Sequence, residues 1–219
     1  MAHPRPVGKL SLRDMMLNLD IYSGLSDGLS QLPLPEYIRI GRKNYLIPQS
    51  MEEFTDSICY GQRLFLTRKE ENDFGLIVRV MDGYYYPLVT NKKWDADDAL
   101  LFGKNILTCK VVDLYPVAMH LIKLVADLIE KEHKLLHREP SKMELAAGIE
   151  KMNVFSDMMS LDFLAQSMKI TIPEVLLTPY NECLVRFMMA KVTNDFQENY
   201  NRLAQETVTP KSKYQKSST

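Results

Sequence analysis

The residues best suited to binding a metal ion lie in one short segment, EKEHKLLH. Glu130, His133 and His137 follow each other at intervals of three and four residues, which places them on one face of a helix. Two histidines four residues apart can share a zinc ion. However, the HExxH order is absent, lysines flank His133, and no second cluster of ligands follows. A solvated helix end, where the helix dipole favours imidazoles, explains the pattern better, and we expect no metal site here.

Other kinds of catalytic chemistry have less support. Asp95, Asp97 and Asp98 could ligate Mg²⁺, but acidic residues are expected in the first turn of any helix. The sequence has no G-x-S-x-G nucleophile motif, and its nine glycines are too scattered to form a phosphate-binding loop. The three cysteines lie far apart without a CxxC pair, which is typical of small buried hydrophobic residues. We therefore predict that the protein is not an enzyme and uses no cofactor or small-molecule substrate.

The bulk composition narrows the remaining classes of protein. The 219 residues are 46% hydrophobic and 25% charged, as in ordinary globular proteins. The net charge of −1 creates no basic field, and GRKNY and TNKKW are short basic segments, so we expect at most non-specific DNA contact. No apolar run reaches the roughly 18 residues of a membrane span, and the N-terminus lacks the pattern of a secretory signal. We expect no membrane association, and a protein that stays where it is made or leaves inside a larger particle.

The hydrophobic pattern predicts a mainly α fold, a helical bundle with one small β-hairpin and extended, non-globular N- and C-terminal arms. Residues 36–48 contain two β-prone runs around a glycine turn. Ser50 and Glu53 form a capping-box pattern, which opens a helix that continues toward Leu66. A later helix begins near Pro116, a residue that suits a first helical turn.

Three regions follow from this pattern. Residues 1–35 are rich in turn residues and form an N-terminal arm, which has little core of its own. Residues 36–206 form a single, mostly helical domain, and residues 207–219 form a flexible, lysine-rich tail. The last helix of the domain follows Pro179 and is predicted to bury one apolar face, made by Tyr180, Leu184, Phe187, Met188, Val192, Phe196, Tyr200 and Leu203.

The segment MDGYYYPLV is the clearest candidate for an interface with another chain. Three consecutive side chains cannot all point in one direction, on a helix or on a strand. We expect Gly83 to end a helix and Pro87 to prevent its continuation, so that the tyrosines are extended and Tyr85 contacts a neighbouring chain. The full set of candidate interface residues is Tyr84, Tyr85, Tyr86, Trp94, Pro4, Pro6 and Leu10.

The order of elements and several short motifs resemble those of small tail-region proteins of phages that infect gut Bacteroidales, including crAss-like podoviruses. The similarity covers about residues 36–204 and consists of helix caps and packing positions. The residues that carry it are Pro48, Ser50, Glu53 and Thr55, then Leu164, Ala165, Glu174, Val175, Leu176, Pro179 and Tyr180, and finally Phe196, Gln197 and Tyr200. Met51 stands where those proteins have tryptophan, and SMKIT replaces a more glycine-rich turn.

The resemblance implies a non-enzymatic structural subunit that forms a homo-oligomeric ring in the connector or tail of the virion. Such a subunit would contact other tail, connector or portal proteins and help to line or seal the path of DNA ejection. It would be located in the virion, and in the host cytoplasm during assembly. The alternative is a cytoplasmic tail-assembly chaperone that binds partners through a methionine-rich groove and is absent from the mature particle. A metal-dependent enzyme built on Glu130, His133 and His137 is a third, weaker hypothesis.

Overall fold

One long helix packs against several of the other described helices and against the hairpin. A computed structural model describes residues 7–17, 28–29, 31–68 and 72–208. Among these residues it contains ten α-helices and one two-stranded hairpin, which confirms the predicted mainly α fold. The helices are α1 Leu12–Leu17, α2 Met51–Ser57, α3 Tyr60–Leu66, α4 Asp73–Thr90, α5 Ala96–Ile106, α6 Val111–Leu136, α7 Lys142–Ala146, α8 Ser156–Met168, α9 Ile172–Leu177 and α10 Tyr180–Val208, with 3₁₀ turns at Val7–Lys9 and Ile149–Phe155.

The β-hairpin lies within the predicted range. Strands β1 (Tyr37–Ile40) and β2 (Lys43–Leu46) pair antiparallel around Gly41, whose φ of 64° suits glycine. Ile38 and Ile40 are buried, and β1 packs against α6. The hairpin is stable because one of its faces is covered by a helix.

The predicted helix caps are present. Ser50 accepts a hydrogen bond from the Glu53 N–H at 3.1 Å, and Asp95 accepts one from the Asp98 N–H at 2.9 Å. The helix expected from Ser50 to Leu66 is nevertheless interrupted. The Tyr60 N–H donates to the Thr178 carbonyl at 2.9 Å, so this break between α2 and α3 pairs with the chain that enters α10.

The central helix α6 contributes a long buried face to the core. Its buried face is formed by Val111, Leu114, Val117, Ala118, Leu121, Leu124, Val125 and Leu128. The helix begins at Val111, before the start expected at Pro116, because the first turn is buried as well. It contacts α1, α2, α4, α10 and β1, so most of the fold is organised around it.

Part of the predicted N-terminal arm belongs to this core. Leu10, Leu12 and Met15 are buried, and the Leu12 N–H donates to the Cys109 carbonyl at 3.1 Å. Leu10 therefore packs inside its own chain, and the prediction that it contacts a neighbouring chain is wrong. The apolar side chains of residues 10–15 supply the contacts that the turn-rich composition of the region did not suggest. Pro4 and Pro6 lie outside the described residues.

The prediction for the three tyrosines is also wrong. Helix α4 continues through Gly83 and Pro87 to Thr90, and all three tyrosines are buried. Three different neighbours surround α4 at this level. Tyr84 stacks on Phe54 of α2 at 5.6 Å, Tyr85 meets Tyr45 of the hairpin at 6.4 Å, and Tyr86 meets Phe102 of α5 at 6.0 Å between ring centroids. Side chains that diverge by about 100° can all be buried when the helix is enclosed on several sides.

Gly83 has a different role from the expected helix stop. A Cβ atom at this position would lie 2.7 Å from the Leu66 Cδ2 atom, so the glycine allows α3 to approach α4 closely. Pro87 has no N–H to donate to the Gly83 carbonyl one turn earlier. The Gln62 side chain replaces that donor, because its Nε2 atom donates to the Gly83 oxygen at 2.8 Å. A hydrogen bond from α3 thus satisfies the carbonyl that a proline inside α4 leaves without a helical partner.

Because the Gln62 side chain replaces the backbone donor that Pro87 lacks, we expect an energetic coupling between Gln62 and Pro87. Gln62→Leu should lower the unfolding free energy by about 1–3 kcal/mol, because a buried carbonyl loses its donor. In a Pro87→Ala background, the new backbone N–H at position 87 can bond to the Gly83 oxygen. Gln62→Leu should therefore lower the unfolding free energy by less in this background. Urea unfolding of the four proteins measures the difference. Gln62 also accepts a hydrogen bond from the Cys59 N–H, but that loss is common to both backgrounds and cancels. Equal costs of Gln62→Leu in the two backgrounds would contradict the coupling.

Candidate protein-interaction surface

The predicted metal ligands lie at the exposed end of α6. Glu130 forms an ion pair with Lys134 at 2.5 Å, which lowers the pKa of the glutamate. The rings of His133 and His137 stack on each other with centroids 4.3 Å apart. Among the described residues, no group of three histidine, cysteine or acidic side chains could hold a metal ion. The three residues do share a helix face, but their contacts are those of a solvated helix end.

Two of the three aspartates of the TNKKWDADD segment, Asp95 and Asp98, serve as helix-capping and pairing residues. Asp98 accepts hydrogen bonds from the Tyr86 hydroxyl and the Lys92 ammonium, both at 3.0 Å. The lysine is the first cause of the lowered pKa of Asp98. Asp95 caps α5, as its position in the sequence indicates.

One polar cluster lies in a cavity of about 380 Å³ between α3, α6, α8 and α10. The Arg63 Nε atom donates to the Glu132 Oε1 atom at 2.9 Å, and the Arg63 Nη2 atom donates to the other carboxylate oxygen, Oε2. Burial raises the pKa of Tyr60, which lines the same cavity, to about 12. A two-point arginine–carboxylate pair of this kind connects α3 to α6.

The candidate interface residues do not lie together on the surface. Tyr84, Tyr85 and Tyr86 are 5%, 0% and 2% exposed, and Leu10 is fully buried, so these four are unavailable to another chain. Trp94 is half-buried, with its ring 5.3 Å from that of Phe65 and edge-on to it. Of the described candidates, only Trp94 remains at the surface.

An extended exposed apolar surface lies on α10, where two opposite faces are apolar. Tyr180, Cys183 and Leu184 are buried against the body of the protein. The other face presents Val185, Met189, Val192, Phe196 and Tyr200, which we call the α10 stripe. Their spacing of four, three, four and four residues keeps them within one narrow sector of the helix, and they are 53–68% exposed. The single apolar face predicted for this helix is thus divided, with its first residues packed inward and its later residues facing solvent.

A second apolar feature is a groove of about 700 Å³ beside Trp94, which we call the Trp94 groove. Its apolar lining consists of Leu64, Phe65, Trp94, Ala96, Val154, Phe155, Met158, Leu161, Pro173, Leu176 and Leu177. Val154, Phe155 and Met158 on its rim are 84%, 62% and 59% exposed. Gly61 also lines the groove, and a Cβ atom there would lie 2.6 Å from the Trp94 ring, so the glycine allows this ring to pack closely against α3.

Methionine is prominent in this half of the molecule. The exposed methionines are Met119, Met143, Met152, Met158, Met159, Met188 and Met189, and all but the first lie between α7 and α10. An unbranched thioether side chain adapts to surfaces of different shapes. The high methionine content of the sequence indicates such a surface. The spacing of the methionines alone does not predict which of them are exposed.

Similarity to known proteins gives no information about these surfaces. No family model, curated protein or solved structure matches the chain. Among the described helices, none is both long and apolar enough to cross a membrane.

Asp82 is a buried carboxyl group that lies outside these surfaces. It is on α4, 1% exposed, and its Oδ1 atom has no hydrogen-bond partner. Burial raises its pKa from 3.8 to about 8. The carboxyl packs against Gly103 of α5, where a Cβ atom would lie 2.7 Å from its Oδ2 atom. Such a shift can mark a functional site, but Asp82 lines none of the cavities described above, and we regard it as a structural liability at high pH.

Asp82→Asn should therefore stabilise the protein in a pH-dependent manner. At pH values well below 3.8 the carboxyl is protonated in both the folded and the unfolded wild type. As pH rises toward 8, the unfolded state loses the proton first, and the wild type loses up to about 1.4 kcal/mol per pH unit relative to the variant. Thermal melts from pH 4 to pH 8.5 measure the gap. Asp127→Asn, an exposed change on α6, serves as the control, and a gap that does not widen with pH would contradict the assignment.

Proposed function

We propose that the protein is a non-enzymatic structural subunit that assembles with copies of itself through its exposed apolar surface. The observation that carries this proposal is the α10 stripe, a second apolar face on a helix whose first apolar face is already buried. Monomeric proteins rarely expose contiguous apolar patches larger than a few hundred Å², and larger patches usually mark interaction sites. Burial of the stripe in a contact would remove this surface from water.

The resemblance to tail-region proteins of Bacteroidales phages supports a more specific proposal. In it, the chain forms a ring in the connector or tail of the virion, contacts other tail or portal proteins, and helps to line or seal the path of DNA ejection. The near-neutral charge is consistent with at most non-specific DNA contact. The subunit would be present in the host cytoplasm during assembly and in the virion afterwards.

A second candidate function is a tail-assembly chaperone that is absent from the mature particle. The observation that favours it is the concentration of exposed methionines between α7 and α10. Surfaces of this type bind several partners by rearranging flexible side chains, as a transient chaperone requires.

Self-association and its dependence on the α10 stripe test the proposal. The wild-type chain should form oligomers in sedimentation velocity at micromolar concentration, and Phe196→Glu should weaken them by about 100-fold or more, since a charge would enter an apolar contact. Gln197→Glu adds the same charge at the adjacent, exposed position and should leave assembly unchanged. A wild-type protein that remains monomeric at all concentrations would refute the proposal.

The two candidate functions predict different locations for the protein after phage assembly. A structural subunit should be detected by mass spectrometry in purified phage particles, in a fixed ratio to the other tail proteins. A chaperone should be abundant in lysates of infected cells and missing from those particles. Absence from the particles would eliminate the structural subunit, and a fixed ratio would eliminate the chaperone.

A further inference from the structure

The α10 stripe and the Trp94 groove lie on opposite sides of helix α8. Met158 and Leu161 of α8 face the groove, whereas Met159 and Phe163 face the cavity between α8 and α10. The stripe lies on the outer side of α10, away from Cys183 and Leu184, which are buried. Because these two surfaces face different directions, they cannot cover each other within one chain.

The chain segments outside the described residues are poorly suited to cover the stripe. Apart from Pro210 and Tyr214, residues 209–219 carry only polar or charged side chains, lysines among them. Residues 18–27 follow α1, which is bonded to the N-terminal end of α6, whereas Lys191 of α10 bonds to the Leu135 carbonyl at the other end. The helix between these ends is about 39 Å long. Ten residues span at most about 35 Å even when fully extended, which is less than the length of this helix.

We propose that the α10 stripe of one copy docks into the Trp94 groove of the next copy. The inference rests on the proposed function and supplies the geometry of its self-association. The stripe is a convex helix face with anchors at positions i, i+4, i+7 and i+11, which is the pattern of helix-in-groove recognition. The groove is concave and mostly apolar, and its 700 Å³ can accept several such side chains, with Phe196 as the largest anchor of the stripe that carries no polar atom.

The rim of the groove is acidic on balance, whereas the sequence that follows α10 is basic. Asp95, Asp97 and Asp157 line the groove together with Arg68. The chain that leaves α10 carries three lysines, Lys211, Lys213 and Lys216, and no acidic residue. These lysines belong to the same end of the chain as the stripe, and their charge is opposite to that of the groove rim, which favours association between copies.

The buried area is sufficient for a specific contact. Five half-exposed side chains of the stripe would bury on the order of 500 Å². The exposed rim of the groove would add a comparable area from the other copy. The total of about 1,000 Å² reaches the size at which a contact between proteins becomes specific.

A contact between two different surfaces has a structural consequence. Each copy would use its stripe toward one neighbour and its groove toward the other, so the contact repeats from copy to copy. Such heterologous contacts produce closed rings when the rotation between copies divides a full turn, and filaments otherwise. A pairing of α10 with α10 would instead end at a dimer.

Complementation between two defective variants tests the docking directly. Phe196→Glu damages the stripe, and Phe155→Glu damages the groove at a side chain that is 62% exposed, so both variants should fold. Each alone should be a monomer of 25.3 kDa at concentrations about 100-fold above the wild-type assembly midpoint. Their mixture should form a 1:1 dimer and nothing larger, because only one stripe and one groove remain intact. Circular dichroism confirms that both variants are folded.

A mixture of two stripe variants, Phe196→Glu with Val192→Glu, is the matched control and should remain monomeric. The docking is refuted if Phe155→Glu assembles like the wild type, or if the complementary mixture yields no dimer although the wild type assembles. In both cases self-association through α10 would survive and only the groove would be eliminated as its receptor. A monomeric wild type would instead refute the proposed function itself.

Discussion

The hydrogen bond from the Gln62 side chain to the Gly83 carbonyl allows α4 to continue past Pro87 in close contact with α3. A proline inside a helix leaves one carbonyl without its usual donor, and a buried carbonyl without a donor is costly. Here α3 lies close enough to supply the donor, because Gly83 has no side chain to separate the two helices. Helix α4 can therefore continue past Pro87 and present three consecutive tyrosines to three different neighbours. The closeness of α3 and α4 and the continuity of α4 depend on each other.

In the second half of the molecule, two helices pack against the rest of the protein on only one side. Helices α8 and α10 each have one face against the body and another that exposes apolar side chains. The side chains from Phe196 to Glu206 are all exposed, so the packing that stabilises the rest of the fold does not extend along this part of α10. Helices in water gain most of their stability from packing an apolar face. This difference between an enclosed α4 and a one-sided α10 is the physical basis for placing the interaction surface at the C-terminal half.

Local features of the fold were predicted correctly where the cause is local. The hairpin around Gly41 and the caps at Ser50 and Asp95 depend on residues within a few positions of one another. The role of Gly83 could not be predicted in this way. Glycine and proline are common signals for the end of a helix, and the donor that overrides them lies 21 residues earlier in the chain.

The sequence by itself determined the mainly α class, the hairpin, the helix caps and the abundance of methionine, because each is set by residue type and short-range spacing. Tertiary structure alone decided which apolar residues are covered. Helical spacing assigned Leu184 and Phe196 to one apolar face, but only the packing of α10 shows that Leu184 is buried and Phe196 exposed. Likewise, Tyr85 was expected at the surface and is enclosed. Burial depends on which elements surround a residue, and long-range packing determines those neighbours.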